Sequence, residues 1–186
     1  MKYQNHIHAL IQQDSSIIGR EKYLNSAVLI PIVEVDNKEY FLFQKRSKSV
    51  RQPGEVSFPG GHFEKSKDKD FQSTAVRETC EELGINEQQI SILGKLGTLV
   101  APMGVIVEAY IGKLNINSLD ELKIDTKEVE KIFIVPIDFF INNNPSEFTT
   151  RLELHPTITN ESGDREELLP VKDLGLPERY ALPWAG

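Results

Sequence analysis

Three glutamates, Glu78, Glu81 and Glu82, stand at positions i, i+3 and i+4 of a stretch whose apolar residues repeat with the helical period. On a helix over residues 70–83, Phe71, Ala75, Val76, Thr79, Cys80 and Leu83 fall on one arc that faces a core. The three carboxylates share the neighbouring face, and Gly84 follows as a stop. Like charges this close repel each other, so something must offset them. Arg77 can do so through its i, i+4 contact with Glu81. A solvated acidic face is one reading of the cluster. A divalent cation is the other, since oxygen ligands at this density suit Mg2+ or Mn2+. The glycine pair Gly60-Gly61 shifts the balance toward the cation, because a backbone without side chains can approach a metal or a phosphate closely.

The rest of the chain sets the frame. Ala27 to Val35 predicts a strand, Asp36-Asn37-Lys38 a turn, and Tyr40 to Phe43 the return strand of a hairpin. Arg46 to Gly61 predicts a loop with a short strand at Val56 to Phe58. Ile90 to Val100 and Val105 to Leu114 predict strands around the turn Ala101-Pro102-Met103-Gly104, and Ile132 to Val135 another before Pro136. Residues 5–13 predict a short helix with Ile7, Leu10 and Ile11 on one face. From Asn142 onward the chain is polar and proline-dotted, and no element is assigned. Mixed strands and helices predict an α/β fold with a mixed sheet, as a single domain over 1–186.

Composition excludes several functions. With 28 acidic against 21 basic residues the formal charge is -7, so binding to nucleic acid is not expected. The single cysteine, Cys80, rules out an internal disulfide or a cysteine zinc cluster and fits a reducing cytosol. Met1 to Arg20 lacks the apolar core of a signal peptide, and no stretch is long enough to span a bilayer, so the expected location is cytoplasmic, without membrane. Cys80 is expected in the core rather than as a nucleophile. The four histidines show no ligand spacing beyond His6 and His8; His62 is expected on a surface loop, and Glu108 is left without a role.

Arg77-Glu78-Thr79-Cys80-Glu81-Glu82-Leu83-Gly84-Ile85 resembles the core of the Nudix box, G-x5-E-x7-R-E-U-x-E-E-x-G-U, with Gly61 as its first glycine. Here the segment 62–76 is longer than the pattern, so Glu64, Asp68 and Asp70 lie near its loop glutamate but none is in register, and Thr79 stands at an apolar position. A second stretch, Leu42-Phe43-Gln44-Lys45-Arg46-Ser47, Arg51 and Gly54-Glu55-Val56-Ser57-Phe58-Pro59-Gly60-Gly61, is similar to the coenzyme A pyrophosphatase branch, with the gap between Arg51 and Gly54 one residue short. The likeness runs over roughly 26–140. Branch members continue past the equivalent of Trp184, so by this resemblance the C-terminus here is expected to be either shortened or incomplete.

The resemblance implies a Nudix-like α/β/α sandwich with a mixed β-sheet. It implies metal-dependent hydrolysis of the coenzyme A diphosphate, giving 3′,5′-ADP and 4′-phosphopantetheine, with Mg2+ or Mn2+ as cofactor. Glu78, Glu81, Glu82 and the Gly61 carbonyl would hold the metal. Arg77, Glu78, Glu81, Glu82 and Glu128 would form the catalytic set, with Glu82 or Glu128 as the proton acceptor and Arg77 orienting the helix carboxylates. Arg46, Ser47, Arg51 and Gly60 would bind substrate. Lys45, Arg46, Lys48 and Arg51 support this independently, as a run of positive charge in an acidic protein suited to the phosphates of coenzyme A. The alternatives are a hydrolase of another nucleoside diphosphate such as ADP-ribose, and a non-catalytic nucleotide-binding or regulatory module. The expected partner is a small-molecule nucleotide, and a homodimer is compatible with the sequence.

Overall fold

In the computed structural model the described residues are 17–101 and 104–185. The helix expected over 5–13, with His6 and His8, and the turn residues Pro102 and Met103 lie outside them. The chain divides into two compact units, residues 1–143 and 144–186.

The first unit is built on a seven-stranded mixed sheet. Strand β1 (Leu24–Val35) turns through Asp36 and Asn37 into β2 (Lys38–Arg46). Both turn residues have positive φ, 51° and 59°, the geometry of a tight hairpin turn that Asp and Asn tolerate. Two short strands follow, β3 (Val56–Ser57) and β4 (Gly60–His62), then helix α1 (Phe71–Leu83). The long antiparallel pair β5 (Ile90–Ala101) and β6 (Val105–Leu114) precedes β7 (Val129–Pro136) and the short helix α2 (Ile137–Asn142). The order is β3-β2-β1-β6-β5, with β4 on β1 and β7 on β2; β1 and β6 run parallel and the other pairs antiparallel.

Strand β1 shares one edge between two partners. Its first half pairs with Gly60–His62 and its second half with β2. The Gly60-Gly61 segment, expected as loop, is therefore inserted into the sheet as a strand. Only a bare backbone fits there, because a Cβ on Gly60 would meet the Ala27 carbonyl and come within 2.7 Å of Val28 Cα.

Helix α1 has clear local causes. Asp70 caps it by accepting from the Ser73 amide at 2.8 Å, and the Ser73 hydroxyl accepts from the Asp70 amide at 2.9 Å. Gly84 ends it in the left-handed conformation, φ 66°. Ala75 and Leu83 are buried against Ala27, Leu29, Val33 and Leu42 of the sheet. Fully burying a leucine or valine side chain here contributes about 1.5–3 kcal/mol. Cys80 packs half-buried at the edge of this core, and burial pushes its thiol pKa up, as a structural cysteine requires. On β2, Leu42 faces α1, while Phe41 and Phe43 point to the opposite face. There they meet Phe140 of α2, with ring centroids at 5.5 and 6.0 Å. The sheet thus carries helix on both faces. No helix among the described residues is long and apolar enough to cross a membrane.

The second unit holds two small antiparallel pairs: β8 (Glu153–Leu154) with β11 (Trp184–Ala185), and β9 (Thr157–Thr159) with β10 (Arg165–Glu167).

Candidate active site

The β4 strand lies against α1, and the contact is made by the predicted residues. The Glu78 carboxyl passes directly over Gly61, where a Cβ would come within 2.6 Å of Oε2. The Gly60 amide donates to Glu82 Oε2 at 2.9 Å. Both glycines of the pair thus touch a glutamate of the helix.

The three helix glutamates differ sharply in exposure. Glu82 is 3% exposed, Glu78 is half-buried, and the Glu81 side chain is 58% exposed. Burial pushes the Glu82 carboxyl up to about 7; the Gly60 amide and the Gln44 amide pull against this, and the charges of Glu78 and Glu128 add to it. Glu78 is raised for the same first reason, against the opposing pull of Arg77, with Glu81 and Glu128 adding. The charge of Glu128 thus acts on both from the exposed loop before β7.

Arg77 is the organiser of this face. Its Nη1 donates to Glu78 Oε1 at 2.8 Å and to Glu81 Oε2 at 3.2 Å, and its Nη2 to the His62 carbonyl at 3.1 Å. Its strongest partner is one that sequence spacing left open. Asp68 takes Nε and Nη2 on its two oxygens, at 2.8 and 2.9 Å. Those bonds to Arg77 hold the Asp68 carboxyl down at about 2, and Asp68 also accepts from the Glu64 amide. Of the three acids near the loop position, Glu64 instead pairs with Lys67 and Asp70 caps the helix.

Arg46 donates its Nε to the Arg51 carbonyl at 2.9 Å, holding the basic loop to the end of β2. Arg51 and Lys48 are exposed on that loop, while Lys45 pairs with Glu130. Ser47 is buried; its hydroxyl donates to the Lys127 carbonyl and accepts from the Ser49 amide at 3.2 Å. His62 is exposed on β4, its Nδ1 3.1 Å from Ser26 Oγ.

Two features had no sequence signal. Gln44 is fully buried, a polar residue on a strand otherwise readable as core. Its amide makes no hydrogen bond of full geometry, yet lies close enough to Glu82 to lower that carboxyl. Ser57 sits directly across from it on β3, and its buried Oγ also lacks a hydrogen-bond partner among the described residues. Glu108 is 2% exposed on β6 and accepts from Arg20 at 2.7 Å, Lys95 at 2.5 Å and Thr98 at 2.8 Å. This buried charge is satisfied within the network; Arg20 also lies over the Phe71 ring at 4.0 Å.

The donor set fits a hard divalent cation: clustered carboxylates, unpartnered oxygens on Gln44 and Ser57, and a glycine strand that admits close approach. As the side chains stand, no three potential ligands among the described residues converge on one point, because Arg77 holds Glu78 and Glu81 while Gly60 holds Glu82.

A family model for the NUDIX domain matches residues 24–152. The chain belongs to the NUDIX family. Among its NUDIX relatives, the mouse peroxisomal coenzyme A diphosphatase NUDT7 is 35% identical over 132 residues, 69% of this chain and 55% of that protein. The human mitochondrial coenzyme A diphosphatase NUDT8 is 29% identical over 132 residues, 70% of this chain and 56% of that protein. The chain thus spans little more than half the length of these curated relatives. Among solved structures, the binary complex of the C. elegans Ap4A hydrolase superposes with a TM-score of 0.51 at 22% identity, covering 64% of this chain and 84% of that one, which shows a shared NUDIX fold. The NUDIX model begins at Leu24, the first residue of β1, and spans the seven-stranded sheet with helices α1 and α2.

Proposed function

We propose that the chain hydrolyses the diphosphate bond of coenzyme A or its derivatives, releasing 3′,5′-ADP and 4′-phosphopantetheine. The observation that carries the chemistry is the packing of Glu78 and Glu82 on the Gly60-Gly61 strand, within reach of the Glu128 charge. The substrate reading is supported by the basic loop held by Arg46, and by the likeness to proteins named coenzyme A diphosphatases.

In this reading Glu78, Glu81 and Glu82, with the Gly61 carbonyl, hold Mg2+ or Mn2+. The cation, when bound, neutralises charge on the diphosphate oxygens and makes water more acidic. Arg77 sets the helix carboxylates through Nη1 and is itself braced by Asp68. Glu82 is fixed by the Gly60 amide, so its second oxygen has a defined direction. Glu128, exposed and outside the helix, takes the proton from the attacking water. Water oxygen bonds to one phosphorus, the bridging P–O bond breaks, and the leaving phosphate departs as its anion. Arg46 and Arg51 hold the 3′-phosphate of the nucleotide. The sequence reading places the protein in the cytoplasm; the two mammalian relatives bear peroxisomal and mitochondrial names.

The test is a substrate panel of coenzyme A, dephospho-coenzyme A and ADP-ribose with Mg2+ and with Mn2+. Coenzyme A is expected to have the highest kcat/KM. Preference for ADP-ribose would replace the substrate, and inactivity on all three would leave a binding module.

A further inference from the structure

Ser47 lies just after β2, 6% exposed, where two loops meet. Its amide donates to the Glu128 carbonyl at 2.8 Å, and its hydroxyl donates to the Lys127 carbonyl. These two carbonyls belong to the successive peptide planes that hinge at the Glu128 Cα. Anchoring both planes fixes the backbone dihedrals of Glu128, and with them the direction of its side chain. A long carboxylate on an exposed loop reaches a defined place only when its backbone is held in this way.

The surrounding bonds agree. The Glu128 amide donates to the Asp125 carbonyl at 2.9 Å, and the Asp125 amide donates to the carbonyl of Glu82 at 3.0 Å. The loop is thus hung at one end from the C-terminus of α1 and at the other from Ser47. The Ser47 proton is committed to Lys127 and its oxygen faces Ser49. A buried hydroxyl so engaged is poorly placed to meet substrate.

We infer that Ser47 is a positioning residue for Glu128, clamping the two peptide planes on either side of its Cα and so aiming its side chain, rather than a substrate contact. The inference rests on the reading above, in which Glu128 takes part in hydrolysis.

A double-mutant cycle tests it. kcat and KM for coenzyme A with Mn2+ are measured for wild type, S47A, E128Q and the double variant. S47A is expected to lower kcat about tenfold with KM unchanged, as a misplaced catalytic group does. In the E128Q background S47A should cost nothing further, because it acts through the group already removed. An equal loss in both backgrounds would assign Ser47 to the fold alone and overturn the proposal. A raised KM with intact kcat would make it a substrate contact, and wild-type turnover by E128Q would remove the premise. Should S47A fold poorly, S47C replaces it and must show a smaller loss of the same kind. If the wild type hydrolyses no diphosphate, the proposed activity fails by itself. Amide hydrogen exchange then decides the clamp: S47A must speed exchange at Glu128 and Val129, and unchanged exchange overturns it.

Discussion

Asp68 grips Arg77 with both carboxylate oxygens, at 2.8 Å to Nε and 2.9 Å to Nη2, from nine residues earlier in the chain. The grip turns the remaining Nη1 toward Glu78 and Glu81. D68A leaves a largely buried guanidinium without its best partner. It is expected to lower stability by roughly 2–3 kcal/mol, less than for a fully buried pair because Arg77 keeps some solvent contact. Urea unfolding of the two proteins measures this; equal midpoints would mean that other groups brace Arg77.

Gly61 is the position where a single methyl group should reach the proposed metal ligands. Its Cβ would overlap the Glu78 carboxyl, the movable end of a flexible side chain, so G61A should fold. Glu78 must swing away, and turnover should fall about ten- to a hundred-fold as the geometry degrades. Mn2+ affinity, measured by titration calorimetry, should weaken in parallel. Wild-type affinity in a folded G61A would place Glu78 outside the metal site.

Without metal, stability should fall as pH rises from about 4.5 to about 7. The sign follows from Glu82, whose carboxyl is raised from 4.5 to about 7. Across that window the folded chain holds a proton that the unfolded chain has released, so the folded state loses up to roughly 3 kcal/mol. Glu78, raised as well, acts in the same direction. Asp68 acts oppositely: its stabilisation is complete above 3.8 and is lost as pH falls toward about 2. Thermal melts in a chelator buffer should therefore show greatest stability near pH about 4. E82Q should abolish hydrolysis yet raise metal-free stability at pH 8. A melt that rises steadily from pH 5 to 8 would contradict the buried carboxyl.

Arg46 and Arg51 are expected to distinguish substrates. If they hold the 3′-phosphate, R46A or R51A removes a charge-assisted contact of roughly 1.5–3 kcal/mol. That is about ten- to a hundred-fold in kcat/KM for coenzyme A. Dephospho-coenzyme A, which lacks that phosphate, should lose far less. R51A is the cleaner variant, since Arg46 also ties the loop through the Arg51 carbonyl. Equal losses on both substrates would leave the arginines structural.

Helix α1 was legible because its causes are local: the apolar period, Asp70 before it and Gly84 after it. The hairpin at Asp36-Asn37 was legible for the same reason. For strand β7 the sequence predicts Ile132 to Val135, but it runs from Val129 to Pro136 because it pairs with β2 at seven positions. Which acid meets Arg77 was not legible, since Glu64, Asp68 and Asp70 are all within reach along the chain. Nor was the burial of Gln44, which lies beside Glu82 of the helix, or of Glu108, which takes Arg20 from before β1 as well as Lys95 and Thr98 of β5.

By itself the sequence determined which residues stand together for the proposed chemistry: Arg77, Glu78, Glu81 and Glu82 on one helix, a glycine pair before it and a basic loop. Their spacing along a single regular element is a property of the backbone repeat, which operates before any tertiary contact forms. Only the tertiary structure decided how unlike the three glutamates are. Insertion of Gly60-Gly61 beside β1 brings an amide to Glu82 and a bare Cα under Glu78, while Glu81 remains in water. It also decided that Ser47 is buried and bonded to the Glu128 loop, eighty residues away. Burial raises the Glu78 and Glu82 carboxyls and long-range hydrogen bonds hold Glu82 and Ser47 in place, and both depend on what the rest of the chain packs around them.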